Sequence, residues 1–314
     1  MTNFSLFLLA LFYMCAPQGI EAQMNSDPQQ GKLNQPGRLK LAACQFPVSS
    51  SIEENGRWIL AQMEAAADSG ARLVHFPELA LTGYPGVDME DLSGMDWPLL
   101  RSWTDSIRNR ATELKMWVIL GSAHFLDEKT RPMNSLYLIG PDGHLRDRYD
   151  KRFCTMDDLG HFSAGNHPVI FEINGIRCGL LICFDVRYPE LYREYCRRGV
   201  QMIFQSFYNA RQRPGGIHPK IMPVTCQARA ATNHFYMSVT NSSAASSWPN
   251  HFITPDGLVA GKLEADRPGI LVFEVDLSDD FYDASRNFRK RALEGKTSSE
   301  LPPGHPRYLD RSGY

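Results

Sequence analysis

The sequence contains no CxxC pair, P-loop, GxGxxG or repeat of fixed period, so neither a metal nor a nucleotide cofactor is expected. An excess of charge of one sign is also missing. Lys and Arg number 33 against 35 Asp and Glu, a formal net charge of −2. That balance provides no basic field for nucleic acid and no like-charged tail, and it suits a small neutral or polar ligand. The seven cysteines (Cys15, Cys44, Cys154, Cys178, Cys183, Cys196 and Cys226) follow no framework spacing and read as individual thiols. The N-terminal apolar run, Phe4 to Ala16 (FSLFLLALFYMCA), is too short to cross a bilayer comfortably, so no stable membrane span is expected.

What is present is enough for one large α/β core: 314 residues, 43% of them apolar. The run ending at Ala16 has the form of a signal-peptide core, and Gly19 and Ala22 follow it, although the leading MTN carries no Lys or Arg. A leader over 1–22 and a polar, Pro- and Gly-containing linker over 23–38 are therefore expected. A cleaved leader places the protein outside the cytoplasm, and a retained one leaves it inside. Asn241, Ser242 and Ser243 form a glycosylation sequon, which matters only in a eukaryotic secretory pathway.

Leu39 to Phe46 reads as the first strand. Ser51 and Glu54 make a capping box for a helix whose apolar face is Ile52, Ile59, Met63 and Ala66, ending at Gly70. Ala71 to Pro77 supplies the next strand, with Glu78 just beyond its apolar part. Leu100, Trp103, Ile107 and Leu114 mark a second helix, and Met116 to Gly121 another strand. Hairpins follow around Asp142-Gly143 and Asn174-Gly175, placing Lys151 just past a strand end. Further strands are read at VQMIFQSF, FYMSVTN, HFITP, LVAGKLE and GILVFEVD, and helical pattern at Pro219 to Asn233. Mixed strands and helices favour α/β layers with helices covering the sheets. A charged extension runs over 281–314.

The most informative stretch is Gly175 to Arg198. An apolar strand, Ile176 to Ile182, runs into Cys183, and a short polar segment leads to a helix opened by Pro189. Such a junction presents the strand's last side chain together with backbone N–H groups, and the N–H of Phe184 is placed to bind an oxyanion. A buried packing cysteine is the plain alternative. If the fold brings Glu78, Lys151 and Cys183 together, Glu78 serves as general base then general acid. Lys151 holds that carboxylate and stabilises the oxyanion, and the Cys183 thiolate attacks carbon. Spacing alone does not prove the convergence, and an isolated Glu or Lys is ordinarily a surface residue.

Three separated motifs, HFPELALTGY around Glu78, RYDKRF around Lys151 and GLLICFDVRYPELYR around Cys183, resemble the nitrilase or carbon–nitrogen hydrolase superfamily over about residues 39–280. The resemblance implies an αββα sandwich, a Glu–Lys–Cys triad at those three positions, no cofactor, and pairing across helices into a homodimer or higher homo-oligomer. Many members carry a further Glu between the Lys and Cys motifs. Here Asp158, beside Asp157, is the candidate for that supporting carboxylate. Tyr84, Arg187, Asn209 and Arg211 are candidate pocket residues, either arginine being suited to a substrate carboxylate. Packing or surface roles are the alternative for each.

The expected reaction is hydrolysis of a linear non-peptide C–N bond, foremost a small amide, through a cysteine thioester. A nitrile or N-carbamoyl substrate is the near alternative. The more distant ones are a non-catalytic binding protein on the same fold, a Cys–His pair using His75 or His161, and thiol exchange of Cys183 with Cys178 or Cys154.

Overall fold

The computed structural model describes residues 36–211, 215–301, 304–308 and 310. The leader, its cleavage position and the linker up to residue 35 lie outside the described residues, as does Cys15.

In β1 (Arg38–Gln45), Leu39 and Leu41 join the core between the sheets while Ala42 and Cys44 join the core under the helices, so period-two alternation feeds two apolar layers. The following helix α1 (Ile52–Asp68) begins where the sequence predicts. Ser51 Oγ accepts the Glu54 N–H at 3.2 Å, but the Glu54 carboxylate accepts from Ser49 Oγ instead of closing the box on Ser51. Next come β2 (Leu73–His75), α2 (Trp97–Leu114), β3 (Trp117–His124), and the hairpin of β4 (Met133–Ile139) and β5 (Leu145–Asp150). A single-turn α3 (Asp158–His161) precedes β6 (Ile170–Ile173) and β7 (Ile176–Ile182). Beyond β7, a 3₁₀ turn over Cys183–Arg187 leads into α4 (Pro189–Arg197), then β8 (Met202–Ser206) and α5 (His218–Asn233). β9 (Tyr236–Thr240), β10 (His251–Ile253), β11 (Val259–Lys262), β12 (Gly269–Asp276), the short α6 (Arg289–Leu293) and a 3₁₀ turn over Pro306–Tyr308 complete the described elements.

The strands form two six-stranded sheets, ordered β12-β1-β2-β3-β4-β5 and β11-β10-β9-β8-β7-β6. Each has a parallel centre, β1-β2-β3 in one and β7-β8-β9 in the other, with antiparallel strands outside it. Strands buried on both faces read as continuous apolar runs, which is why β7 and β8 show so little alternation. The sheets meet face to face, with Leu41, Leu73 and Leu136 of one in the same core as Leu180, Phe204 and Val239 of the other. α1 and α2 cover the first sheet through Ile59, Met63, Ile107 and Ala111. α4 and α5 cover the second through Leu191, Tyr195, Met222 and Cys226. This is the αββα sandwich expected from the motifs.

His75 sits fully buried between the sheets, its ring nitrogens 2.9 Å from Ser238 Oγ and 2.8 Å from Ser206 Oγ. Burial lowers its pKa to about 3, so it is a neutral core residue and not the partner of a catalytic thiol.

Asn241 is also wholly buried. Its side-chain nitrogen donates to Ser247 Oγ and to the Trp248 carbonyl, both at 2.9 Å, so no glycan can be attached to it in the folded state. Folded protein recovered from a glycosylating host is therefore expected to carry an unmodified Asn241 in peptide mass mapping. An occupied sequon in folded protein would contradict this placement.

Candidate active site

Glu78, Lys151 and Cys183, 105 positions apart at the extremes, meet because each lies just past the carboxyl-side end of a strand segment, β2, β5 and β7 respectively. Ligands of open α/β sheets gather at such ends. Glu78 follows β2 through Phe76 and Pro77, and its N–H donates to the Phe207 carbonyl at 3.2 Å, tying the first sheet to the second. Gly121 makes that course possible, since a Cβ there would lie 2.0 Å from the Pro77 carbonyl oxygen. Lys151 Nζ donates to Glu78 Oε1 and to Asp158 Oδ2, both at 2.8 Å, and all three side chains are essentially sealed from water. Asn134 Nδ2 and the Tyr208 N–H, each at 2.8 Å, supply further donors to the two oxygens of Glu78.

Cys183 has φ +40°, a left-handed conformation that is costly for a residue with a Cβ. The strain is held by Asp185, two residues on. Its buried carboxylate accepts the Ile182 and Phe153 N–H groups at 2.9 Å and the Tyr149 hydroxyl at 2.8 Å. One side chain thereby fastens the cysteine elbow to the segment that carries Lys151. Stacking of Phe153 on Tyr188, with centroids 3.6 Å apart, and the Arg152–Glu194 ion pair reinforce that junction.

The charges are few and uncompensated by solvent. Burial disfavours the Lys151 ammonium, but the negative groups around it, Glu78 first, outweigh burial and hold its pKa well above the ordinary value. Asp158 is pushed up by burial yet ends below its ordinary value, because Lys151, the Tyr84 hydroxyl and the Thr155 N–H all favour its charged form. Glu78 stays above its ordinary value, burial and the nearby Asp158 outweighing Lys151. Burial, with Glu78 adding to it, also raises the Cys183 thiol well above its usual range. One ammonium thus serves two carboxylates and a thiol. At neutral pH the thiol keeps its proton, and Glu78 is the nearby base able to take it.

Cys183, Phe184, Asp158, Tyr84, Tyr208 and Asn209 line a cavity of about 660 Å³. Arg211 and Arg187 do not line it. Arg211 Nε donates to Asp88 Oδ1 at 2.9 Å, and that buried carboxylate also accepts the Tyr208 hydroxyl and the Tyr84 N–H. Arg211 is thus committed to a network that fixes the two cavity tyrosines. Arg187 lies exposed outside the lining, close enough to His218 that, after burial, it helps lower that imidazole's pKa. His161 and His218 do line the cavity, together with Met156 and Met222. Asp88, Asn134, Tyr208, His218 and Trp248 lie outside the three sequence motifs, and Asp185 lies inside the one around Cys183 without a role being assigned to it there. The cysteines among the described residues are free. The Cys178 and Cys154 thiols bond to the carbonyls of Ile176 and Lys151 and not to Cys183, which gives thiol exchange no support.

The family model described as carbon–nitrogen hydrolase matches residues 40–279. The chain belongs to that family. Among curated relatives of this carbon–nitrogen hydrolase, the 2-oxoglutaramate amidase of Bacillus subtilis is 28% identical over 138 residues, covering 43% of this chain and 52% of that protein. A hydrolase of Mycobacterium tuberculosis is 33% identical over 52% of this chain and 59% of its own length. The chain thus spans little more than half the length of these two. The chloroplastic omega-amidase of Arabidopsis thaliana is 25% identical over 77% of this chain and 68% of its own. Among solved structures, an amidase of the nitrilase superfamily from Nesterenkonia AN1 superposes with a TM-score of 0.67 at 20% identity, over 77% of this chain and 91% of that one.

The buried ion cluster makes two stability predictions for this family member. Lys151→Met leaves Glu78 and Asp158 without their counter-charge and is expected to lower unfolding free energy by about 3–5 kcal/mol in equilibrium denaturation; a loss under about 1 kcal/mol would contradict the geometry. The folded-state pKa of Asp158 lies below the ordinary 3.8, so its contribution is present above that value and is lost as pH falls toward the folded-state value. The stability gap between wild type and Asp158→Asn should therefore be full at neutral pH and narrow in acid.

Proposed function

We propose that this chain hydrolyses small linear amides, with Cys183 as nucleophile, Glu78 as general base and acid, and Lys151 as electrostatic stabiliser. The observation that carries the reading is a strained cysteine elbow that lines one cavity and lies against a fully buried carboxylate and ammonium 2.8 Å apart. Glu78 takes the Sγ proton as sulfur attacks the carbonyl carbon, and the oxyanion faces the Phe184 N–H and the Lys151 ammonium. As the C–N bond breaks, the same proton passes to the departing nitrogen, which leaves as ammonia or an amine. Water then gives its proton to Glu78 and attacks the thioester. The C–S bond breaks, the acid leaves, and the proton on Glu78 returns to sulfur.

The amidase names of two curated relatives favour amides over nitriles and N-carbamoyl compounds. A variant of the Nesterenkonia amidase carries the acetamide moiety of fluoroacetamide on its active-site cysteine, which supports a cysteine nucleophile on this fold. Asp158, bridging Lys151 and the Tyr84 hydroxyl, takes the place of the supporting carboxylate. Association into a homodimer through the α4 and α5 layer belongs to the same reading, since Ile217 and Val224 expose apolar surface there. So does action outside the cytoplasm if the leader is removed.

Purified protein is expected to release ammonia from short aliphatic amides or from ω-amides of dicarboxylic acids, and Cys183→Ala to release none. Release that persists in Cys183→Ala would overturn the nucleophile assignment. Faster turnover of matched nitriles or N-carbamoyl compounds would move the substrate class. Glu78→Gln should lower kcat/KM by about 10²–10⁴-fold. In wild type the acid limb of kcat/KM should lie above 4.5, the ordinary Glu value, because burial raises Glu78, with activity lost as pH falls through that limb.

A further inference from the structure

Asn209 follows β8 and is nearly buried on the cysteine side of the cavity. Its Nδ2 lies 3.8 Å from Cys183 Sγ, and the other hydrogen of that nitrogen goes to the Tyr208 carbonyl at 3.0 Å. Its Oδ1 is 3.2 Å from Trp248 Nε1. An indole nitrogen only donates, so it can pair only with the oxygen end of the amide. That leaves the nitrogen end turned toward sulfur. Trp248 is itself held, 3% exposed and edge-on to Phe207 at 4.9 Å, while the Asn209 N–H is fixed to Asn241 Oδ1 at 2.8 Å. Backbone and side chain of Asn209 are both locked, and the lock depends on a residue 39 positions away.

We propose that Asn209 is a catalytic residue that donates a hydrogen bond to the Cys183 sulfur and stabilises its thiolate, and that Trp248 is the positioning residue that keeps the amide turned this way. The inference rests on Cys183 as nucleophile and assigns Asn209 to the sulfur instead of to substrate binding. When the S–H bond breaks, its proton forms an O–H bond on Glu78 and the electron pair stays on sulfur. Asn209 transfers no proton. Its N–H faces a weak acceptor in the thiol, a strong one in the thiolate and a weak one again in the thioester, so the bond is strongest when the nucleophile is charged. Besides burial, the charged groups acting on the thiol are Glu78 and Asp158, which disfavour its charge, and Lys151, which favours it. His161 and His218 stand in the same cavity wall. A neutral donor adds stabilisation without a further buried charge.

The test is the rate of Cys183 alkylation by iodoacetamide from mildly acid to alkaline pH, followed on the Cys183 peptide by mass spectrometry in the full chain. Ammonia release is measured in parallel. Asn209→Ala should slow alkylation near neutral pH by about ten-fold or more, the usual worth of a hydrogen bond to a charged group, and move its pH midpoint upward. Asn209→Asp keeps the shape but supplies an ionised acceptor, and should be slower still. Trp248→Phe keeps most of the packing and should change the rate in the same direction by a smaller factor. Circular dichroism and thermal unfolding confirm that each variant folds, and the near-isosteric Asn209→Asp carries the test if Asn209→Ala does not. An alkylation profile unchanged in Asn209→Ala or Asn209→Asp, with ammonia release reduced through KM, would overturn the proposal and return Asn209 to substrate binding. Full ammonia release by Cys183→Ala is a different failure, because it removes the nucleophile on which the inference rests.

Discussion

Everything at the cavity floor depends on one buried ammonium. Lys151 is inaccessible to water and, among the described residues, finds its counter-charges in Glu78 and Asp158, each 2.8 Å away. A buried cation is tolerable only when paired and hydrogen-bonded, so the segments carrying those carboxylates must stay where they are for the fold to persist. Stability and chemistry are therefore coupled at this point. Burial, with the nearby Asp158 adding to it, keeps the Glu78 pKa high against the pull of the single ammonium, and a carboxylate with a raised pKa is well matched to exchange a proton with a thiol.

The sandwich delivers these groups without long side chains reaching across space. Glu78 enters from the first sheet and touches the second through the Phe207 carbonyl, and Asp185 binds the cysteine elbow to the end of β5. Strain at Cys183 is held in place by those bonds, which is what allows a backbone outlier to persist. Around this rigid floor the walls are secured by a second buried carboxylate, Asp88, which orients Tyr84 and Tyr208. Arg211 neutralises it from outside.

Much of this was legible in the sequence because it is local. Strands announced themselves by apolar runs closed by Asp-Gly or Asn-Gly, the first helix by Ser51, and the three central residues by the motifs around them. The partners of those residues are not local. Asp88 pairs with Arg211 across 123 positions and Asn134 reaches Glu78 across 56, and nothing in either segment marks the pairing. Arg211 is one of two arginines suited by type to a substrate carboxylate, with a surface role as the alternative, and in the fold it pairs with a buried aspartate from another loop. The capping box shows the same lesson on a small scale. Its serine half formed as predicted, while Glu54 found a better donor in Ser49. Asn241 likewise carries a glycosylation motif in sequence and a core position in space.

The central claim is that carbon is transferred to the Cys183 sulfur before water completes the reaction. The most direct measurement is acid quenching of the protein during turnover of an amide, followed by peptide mass analysis. The account predicts one acyl group, on the peptide containing Cys183, that disappears as substrate is exhausted and is released by hydroxylamine. An acyl group on another residue, or steady turnover with the Cys183 thiol chemically blocked, would contradict it.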